Sequence, residues 1–333
     1  MSERRENEMK KESGKVSLFL GLALAASLSY GTLSQAQESS ETKAKLKDVK
    51  GDEGQKDVDQ LITNKKLRAE TGSKSKVSLS TSFNYKGGSV QQPGSKIRPN
   101  ITGEANTVAV SGITGDVSGK YRVGEQSSVS AGVGVRMLAP FHESLSATKV
   151  KNAKGEELER NDINNPYLSY TYLDKLAGVQ SVTTVTATGY TTAPSRQVGY
   201  VANLGVQQIF VKDIGTTGLS VGVLLAADAS GFDKFAEEAK AGSSDYGFGL
   251  YPMLEYVFND TFNFRTISGI QVYEHSRLAN TAWSFSKNTV YQSVGLGISI
   301  TRDIFLYPNV QFLPGDLKSD RTNVALSANI NVF

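Results

Sequence analysis

From Lys76 to the last residue the chain alternates apolar and polar positions. Val77, Leu79, Thr81, Phe83 and Tyr85 are interleaved with Ser78, Ser80, Ser82 and Asn84. In an extended segment this makes one face apolar and the other small and polar. The same pattern recurs where Val129, Ala131, Val133, Val135 and Met137 oppose Ser130, Gly132, Gly134 and Arg136. Leu219, Val221, Val223 and Leu225 oppose Ser220, Gly222 and Leu224, while Tyr246, Phe248, Leu250, Leu254, Tyr256 and Phe258 oppose Gly247, Gly249, Tyr251 and Glu255. Period two predicts about twelve strands, near residues 76–88, 107–123, 127–139, 163–173, 178–192, 196–211, 217–228, 244–258, 261–275, 286–302, 304–312 and 321–333. The faces of the fourth and fifth are ambiguous.

The links alternate in length. Gly124 to Gln126, Asp174 to Ala177, Lys212 to Thr216, Asn259-Asp260 and Asp303 are tight. Ser89 to Asn106, Pro140 to Asp162, Ala229 to Ser243, Ser276 to Phe285 and Leu313 to Asp320 are long, and the turn near Ala193-Pro194-Ser195 is the exception. Alternation alone does not separate a soluble sandwich from a membrane barrel. Long strands, short and long links in turn, and an export signal favour the barrel, since lipid-exposed sheet edges are forbidden and even closure puts both termini on one side.

The export signal lies at residues 1–36. Arg4, Arg5, Lys10, Lys11 and Lys15 precede an apolar run from Val16 to Leu28, which ends near Ser34-Gln35-Ala36, a small-x-small cleavage pattern. The run is short for a spanning helix, which needs roughly 20 apolar residues. Residues 37–75 are densely charged with both signs and cannot bury a core of their own. They read as a polar periplasmic extension, disordered or with a short helix from about Asp57 to Glu70, where Val58, Leu61 and Ile62 have helical spacing. A plug entering the barrel lumen is the sharper alternative. Residues 76–333 form the barrel.

Composition narrows the chemistry. There is no Cys, which removes disulfides, thiolate metal sites, a Cys nucleophile and a lipidated cysteine. The 36 Lys+Arg against 33 Asp+Glu leave a net charge of +3, which argues against a dedicated nucleic-acid binder. A helical membrane protein is excluded by the single long apolar run.

Across residues 76–333 the chain resembles bacterial outer-membrane β-barrel proteins, porin-like and of about twelve strands. The residues that carry this are the signal segment, the alternating runs and a terminal strand, Asn323 to Phe333, ending in an aromatic. Val324, Leu326, Ala328, Ile330 and Val332 lie one residue out of phase with Phe333. The resemblance implies an all-β, antiparallel up-and-down transmembrane barrel in the bacterial outer membrane, with the N-terminal extension and C-terminus periplasmic. It also implies lipid and lipopolysaccharide as surroundings, and Phe333 as a signal to the outer-membrane assembly machinery. Aromatics near strand ends fit an interfacial girdle: Tyr121, Phe210, Phe258, Phe262 and Phe264 by the short turns, Phe83, Tyr85, Phe248 and Phe312 by the long ones.

Candidate chemistry is sparse. Only His142 and His275 exist. His142 lies two residues before Ser144, a spacing resembling the catalytic pair of outer-membrane phospholipase barrels, but no matching continuation follows. His275 with Glu274 lacks a third ligand. No phosphate or dinucleotide loop occurs, and no cofactor, metal or catalytic set is expected. The inward charges Asp116, Lys120, Arg122, Arg136, Glu255 and Arg265 are the lumen-lining candidates, with Tyr251, Tyr273, Tyr291, Phe305 and Tyr307 as bulky residues that could cover the small ones. The expected function is a passive channel or uptake pore for small hydrophilic solutes. The alternatives are a filled structural or surface-interaction barrel and, last, a lipid-modifying enzyme. The solute and the oligomeric state are open at this point.

Overall fold

The computed structural model describes residues 58–71, 74–101, 109–144, 146–233, 244–276 and 281–332. The expectations about the export signal, residues 37–57 and Phe333 lie outside these. Two short helices, α1 (Val58–Leu61) and α2 (Lys65–Glu70), come first. The wall follows as β1 (Val77–Ser89), β2 (Gly112–Arg122), β3 (Ser127–Leu138), β6 (Asn161–Leu176), β7 (Val179–Gly189), β8 (Tyr200–Asp213), β9 (Leu219–Phe232) and β10 (Ser244–Val257). It continues as β11 (Phe262–Gly269) with β12 (Gln271–Ser276), β14 (Tyr291–Thr301), β15 (Ile304–Phe312) and β16 (Asn323–Val332). A small hairpin, β4 (Lys149–Lys151) and β5 (Glu157–Glu159), rides on a long loop; α3 (Ala193–Gln197) caps the β7–β8 link, and β13 (Phe285–Lys287) folds back on β12. All pairings are antiparallel, and β1 pairs with β16, Leu79 opposite Val332, which closes a 12-stranded barrel.

The faces follow the sequence pattern. On β9, Val221 and Leu225 are exposed and Val223 half-buried, whereas Ser220, Leu224 and Ala226 are buried. Leu79, Tyr121, Leu204, Leu254, Leu296, Ile300 and Leu326 continue the exposed apolar face around the wall. On β16 Leu326 and Val332 are exposed and Ser327, Asn329 and Asn331 buried, so the offset from Phe333 is the real phase of that strand. Of the girdle aromatics, Tyr121, Phe210, Phe248, Phe258 and Phe262 are exposed and Phe83, Tyr85, Phe264 and Phe312 half-buried.

Three departures from the expected segmentation have local causes. Ile270 is an extra residue: Met253 opposes Ile267 but Leu250 opposes Gln271, so the ladder slips by one between β11 and β12. A one-residue bulge reverses every face beyond it. Tyr273 is therefore turned outward, onto Phe248 and under the Lys287 ammonium, and does not cover the lumen. Second, β14 starts at Tyr291, because Phe285–Lys287 pairs with β12 instead of extending the tenth strand. Third, the β6–β7 turn is tighter than expected: Leu176 opposes Val179, with Ala177 and Gly178 at φ 50° and 78° between them. Two successive left-handed residues suit a two-residue hairpin, whose twist matches that of the strands.

Inside, aromatic rings lie flat along the wall. A Cβ placed on Gly249 would lie 2.6 Å from Cε2 and Oη of Tyr251. One on Gly132 would lie 2.8 Å from Cζ of Tyr167. Only glycine lets those rings rest against the backbone instead of standing into the lumen. Phe305 and Tyr291 lie over Gly297 and Gly269 in the same way.

Candidate functional site

The site is the end of the lumen ringed by the short turns, and its central feature is the segment 58–71. Ile62 and Leu67 are buried there against Leu173, Val182, Ile209, Leu224 and Ile267 from the inward faces of five wall elements. Ala69 packs on Phe305 and Tyr307 across the lumen. The expected single helix from Asp57 to Glu70 is thus two pieces with a bend at residues 62–64, and these residues form a plug inside the barrel mouth.

The bend is set by local chemistry. Asn64 is extended at φ −63°, ψ 124°, and its Oδ1 accepts from the backbone N–H groups of Lys66 and Leu67, so it is the N-cap of α2. Arg68 holds the pieces together, donating through Nε to the Ile62 carbonyl at 2.6 Å and through Nη2 to the Asp59 carbonyl at 3.0 Å. An Asn directly before a Lys-Lys-Leu-Arg run is an N-cap signal available in the sequence; the burial of so charged a helix is not.

The wall grips the plug at three places. On one side, the Asn64 N–H donates to Gln180 Oε1 at 2.6 Å, its Nδ2 to Glu255 Oε2 at 3.4 Å, and Thr63 Oγ1 to Asp213 Oδ2 at 2.7 Å. Gln180 and Ser220 also donate to Asp213, tying the contact into β7, β8 and β9. On the far side, Lys120 Nζ donates to the Glu70 carbonyl and Asn331 Nδ2 to the Ala69 carbonyl, each at 2.6 Å. Both carbonyls lie in the last turn of α2, where side chains of the wall donate to them. At the rim, Asp59 Oδ1 accepts from Arg302 Nε at 2.9 Å, and its Oδ2 lies 3.3 Å from Lys74 Nζ. In the same turn burial raises the Asp303 carboxyl above its ordinary value, against the opposing pull of Arg302.

The six lumen candidates are not one ring. Lys120 and Glu255 hold the plug; Arg122 is the next inward position on β2 after Lys120. Arg265 is buried opposite Glu255, with its guanidinium 5.9 Å from the Tyr307 ring centre. Asp116 sits deeper, accepting from Tyr167 Oη at 2.6 Å, and Arg136 pairs with Asp162 at 3.3 Å toward the long-loop end. Sequence reasoning missed Asp59, Asn64, Gln180, Asp213, Arg302 and Asn331. It also missed an inward acidic pair, Asp228 and Glu274, on either side of Gly247.

The two histidines lie away from this end. His275 and Glu274 point to opposite faces: Glu274 accepts from Asn288 Nδ2 at 2.9 Å, while His275 bonds Asp245 Oδ1 at 2.7 Å and stacks on Tyr246. Ser144 Oγ bonds Ser146 Oγ at 2.7 Å. That loop is organised by the fully buried Arg160, which donates to the carbonyls of Leu138, Glu143, Ser144 and Ala147. Among the described residues no group of three or more His, Cys, Asp or Glu is placed to hold a metal ion.

No known family model matches the chain, and no curated protein is similar to it. Solved structures with a similar arrangement include an outer membrane channel from Pseudomonas putida F1, with TM-score 0.44 and 11% identity over 78% of this chain and 97% of that one. The KdgM porin gives 0.40 and 10% over 76% and 99%. Salmonella typhi OmpF, in a complex with daunomycin, gives 0.34 and 8% over 77% and 97%.

Proposed function

We propose that the protein is an outer-membrane channel for small hydrophilic solutes, with the short turns and the plug on the periplasmic side. The observation that carries this is a closed barrel whose outward face is apolar and exposed, while its inward face carries Ser, Asn and charged residues beside an apolar and aromatic sector. Such a barrel is stable only with hydrocarbon outside, and its polar interior suits water and polar solutes. Lipid and lipopolysaccharide would then contact the exposed aromatics, and assembly would proceed through the C-terminal strand. No enzymatic role is assigned to His142 or Ser144. The test is conductance of the refolded full chain in planar bilayers, with liposome swelling in sugars of increasing size. Unitary steps and a size cut-off are expected.

One observation favours a filled structural barrel instead. The inward residues Tyr291, Ser293, Phe305, Tyr307, Asn329 and Asn331 are all buried, so this sector of the lumen is occupied. Silent bilayers from correctly folded protein, with and without residues 58–71, would select that reading.

A further inference from the structure

We propose that residues 58–71 are a removable gate, seated in the periplasmic mouth when closed and withdrawn as a unit when solute passes. This rests on the channel reading above. Closure is direct: Gln180, Ser220, Glu255, Arg265 and Asn331 are polar side chains facing the lumen, yet each is under 9% exposed at the level of the segment.

Withdrawal is permitted by topology. The barrel closes through β1 and β16, whose ladder starts at Leu79 opposite Val332, and no residue of 58–71 belongs to a strand. Removing the segment breaks no ladder hydrogen bond, so the wall can keep its form in both states.

The polar contacts are also of a kind that can be exchanged for water. Thr63, Asn64, Ala69 and Glu70 are held by hydrogen bonds to side chains of the wall, Asn64 by two of them, and Asp59 by Arg302 and Lys74. Ile62 and Leu67, with Leu61 packed alongside, are the apolar side chains that anchor it, and their burial against the wall is what withdrawal must give up. The Asp59–Arg302 contact at the rim acts as the latch.

The chain has no cysteine, so Thr63→Cys with Asp213→Cys creates a single reactive pair across the gate and the wall. After refolding, the pair is bridged with a short bifunctional thiosulfonate that a reductant removes, and current is recorded in planar bilayers throughout. The expected result is conductance before bridging, loss to the protein-free baseline after it, and recovery on reduction. Unchanged current after bridging would overturn the gate, because solute would be passing a segment that does not move. If the full chain is silent in both states while a chain lacking residues 58–71 conducts, the segment is a fixed stopper; the gate fails and the channel reading stands. If neither chain conducts, and both show the heat-modifiable migration of folded barrels, the channel reading fails and the gate with it.

Discussion

Glu255 on β10 stands directly opposite Arg265 on β11, and at 5% and 3% exposure both are buried. The register follows from the loop: Phe258 N–H donates to the Phe262 carbonyl, and Asn259 Oδ1 accepts from the N–H groups of Thr261 and Phe262, leaving three residues between the ends. Opposed, buried, opposite charges are coupled, and removing one leaves the other uncompensated, which costs about 3–5 kcal/mol. Arg265→Gln should therefore destabilise the barrel more than the double variant Glu255→Gln/Arg265→Gln in a urea folding titration in lipid. Additive single effects would show that the two charges are held independently. With the gate out, reversal potentials in a salt gradient should move toward anions for Glu255→Gln and toward cations for Arg265→Gln.

That register was legible because Tyr256, Phe258, Phe262 and Phe264 mark one face on both sides of the turn. Most of the wall was legible for the same reason, and the failures are where period two breaks. The register between β3 and β6 shifts by one at Asn165-Pro166, where Asn165 has φ 44°, so neither face of β6 keeps one phase along its length. On β7 the apolar and polar residues are themselves exchanged: Val182 is buried facing in, while Thr183 faces out and bonds Gln208 of β8. The plug was the least legible part. A stretch rich in Lys, Arg, Asp and Glu reads as solvated, and its burial depends on Gln180, Asp213, Glu255 and Asn331, which lie 116 to 262 residues away from their partners.

Val223 tests the assignment of faces. It alternates with inward Leu224, which is only 1% exposed and packs in the apolar cluster around Ile62 and Leu67. Arg at the midplane of a barrel's lipid face costs about 2–4 kcal/mol. Val223→Arg should lower stability by that order in a folding titration into vesicles, and Val223→Leu should leave it nearly unchanged. An undisturbed Val223→Arg protein would place this face away from hydrocarbon.

Gly249 tests how the aromatic lining is seated. A methyl group there meets the Tyr251 ring at 2.6 Å, closer than any unforced carbon contact. The ring must then swing toward the lumen. Overpacking of this kind costs about 1–3 kcal/mol. Gly249→Ala should reduce folding stability, and Tyr251→Ser in the same chain should restore most of it. Equal losses with and without Tyr251→Ser would mean that the methyl group strains the strand itself.

The acidic pair toward the long-loop end gives a prediction about selectivity. Gly247 of β10 lies opposite Asp228 on β9 and Glu274 on β12, and a Cβ placed on it would be 3.5 Å from Asp228 Oδ1 and 3.7 Å from Glu274 Cγ. The two side chains therefore lean over the same glycine. Their hydrogen-bond donors are neutral amides, Asn203 Nδ2 at 3.0 Å and Asn288 Nδ2 at 2.9 Å, and among the described residues neither acid makes an ion pair. Two uncompensated carboxylates on one stretch of lumen wall attract cations and repel anions passing it. With the gate open, the channel should prefer cations in a salt gradient. Asp228→Asn and Glu274→Gln should each reduce that preference, and together reduce it further. The difference from the unsubstituted chain should shrink as salt rises toward 1 M, where the screening length falls to about 3 Å. A reversal potential that both substitutions leave unmoved would place these acids off the permeation path, with solute running along the opposite side of the lumen past Asp116 and Tyr167.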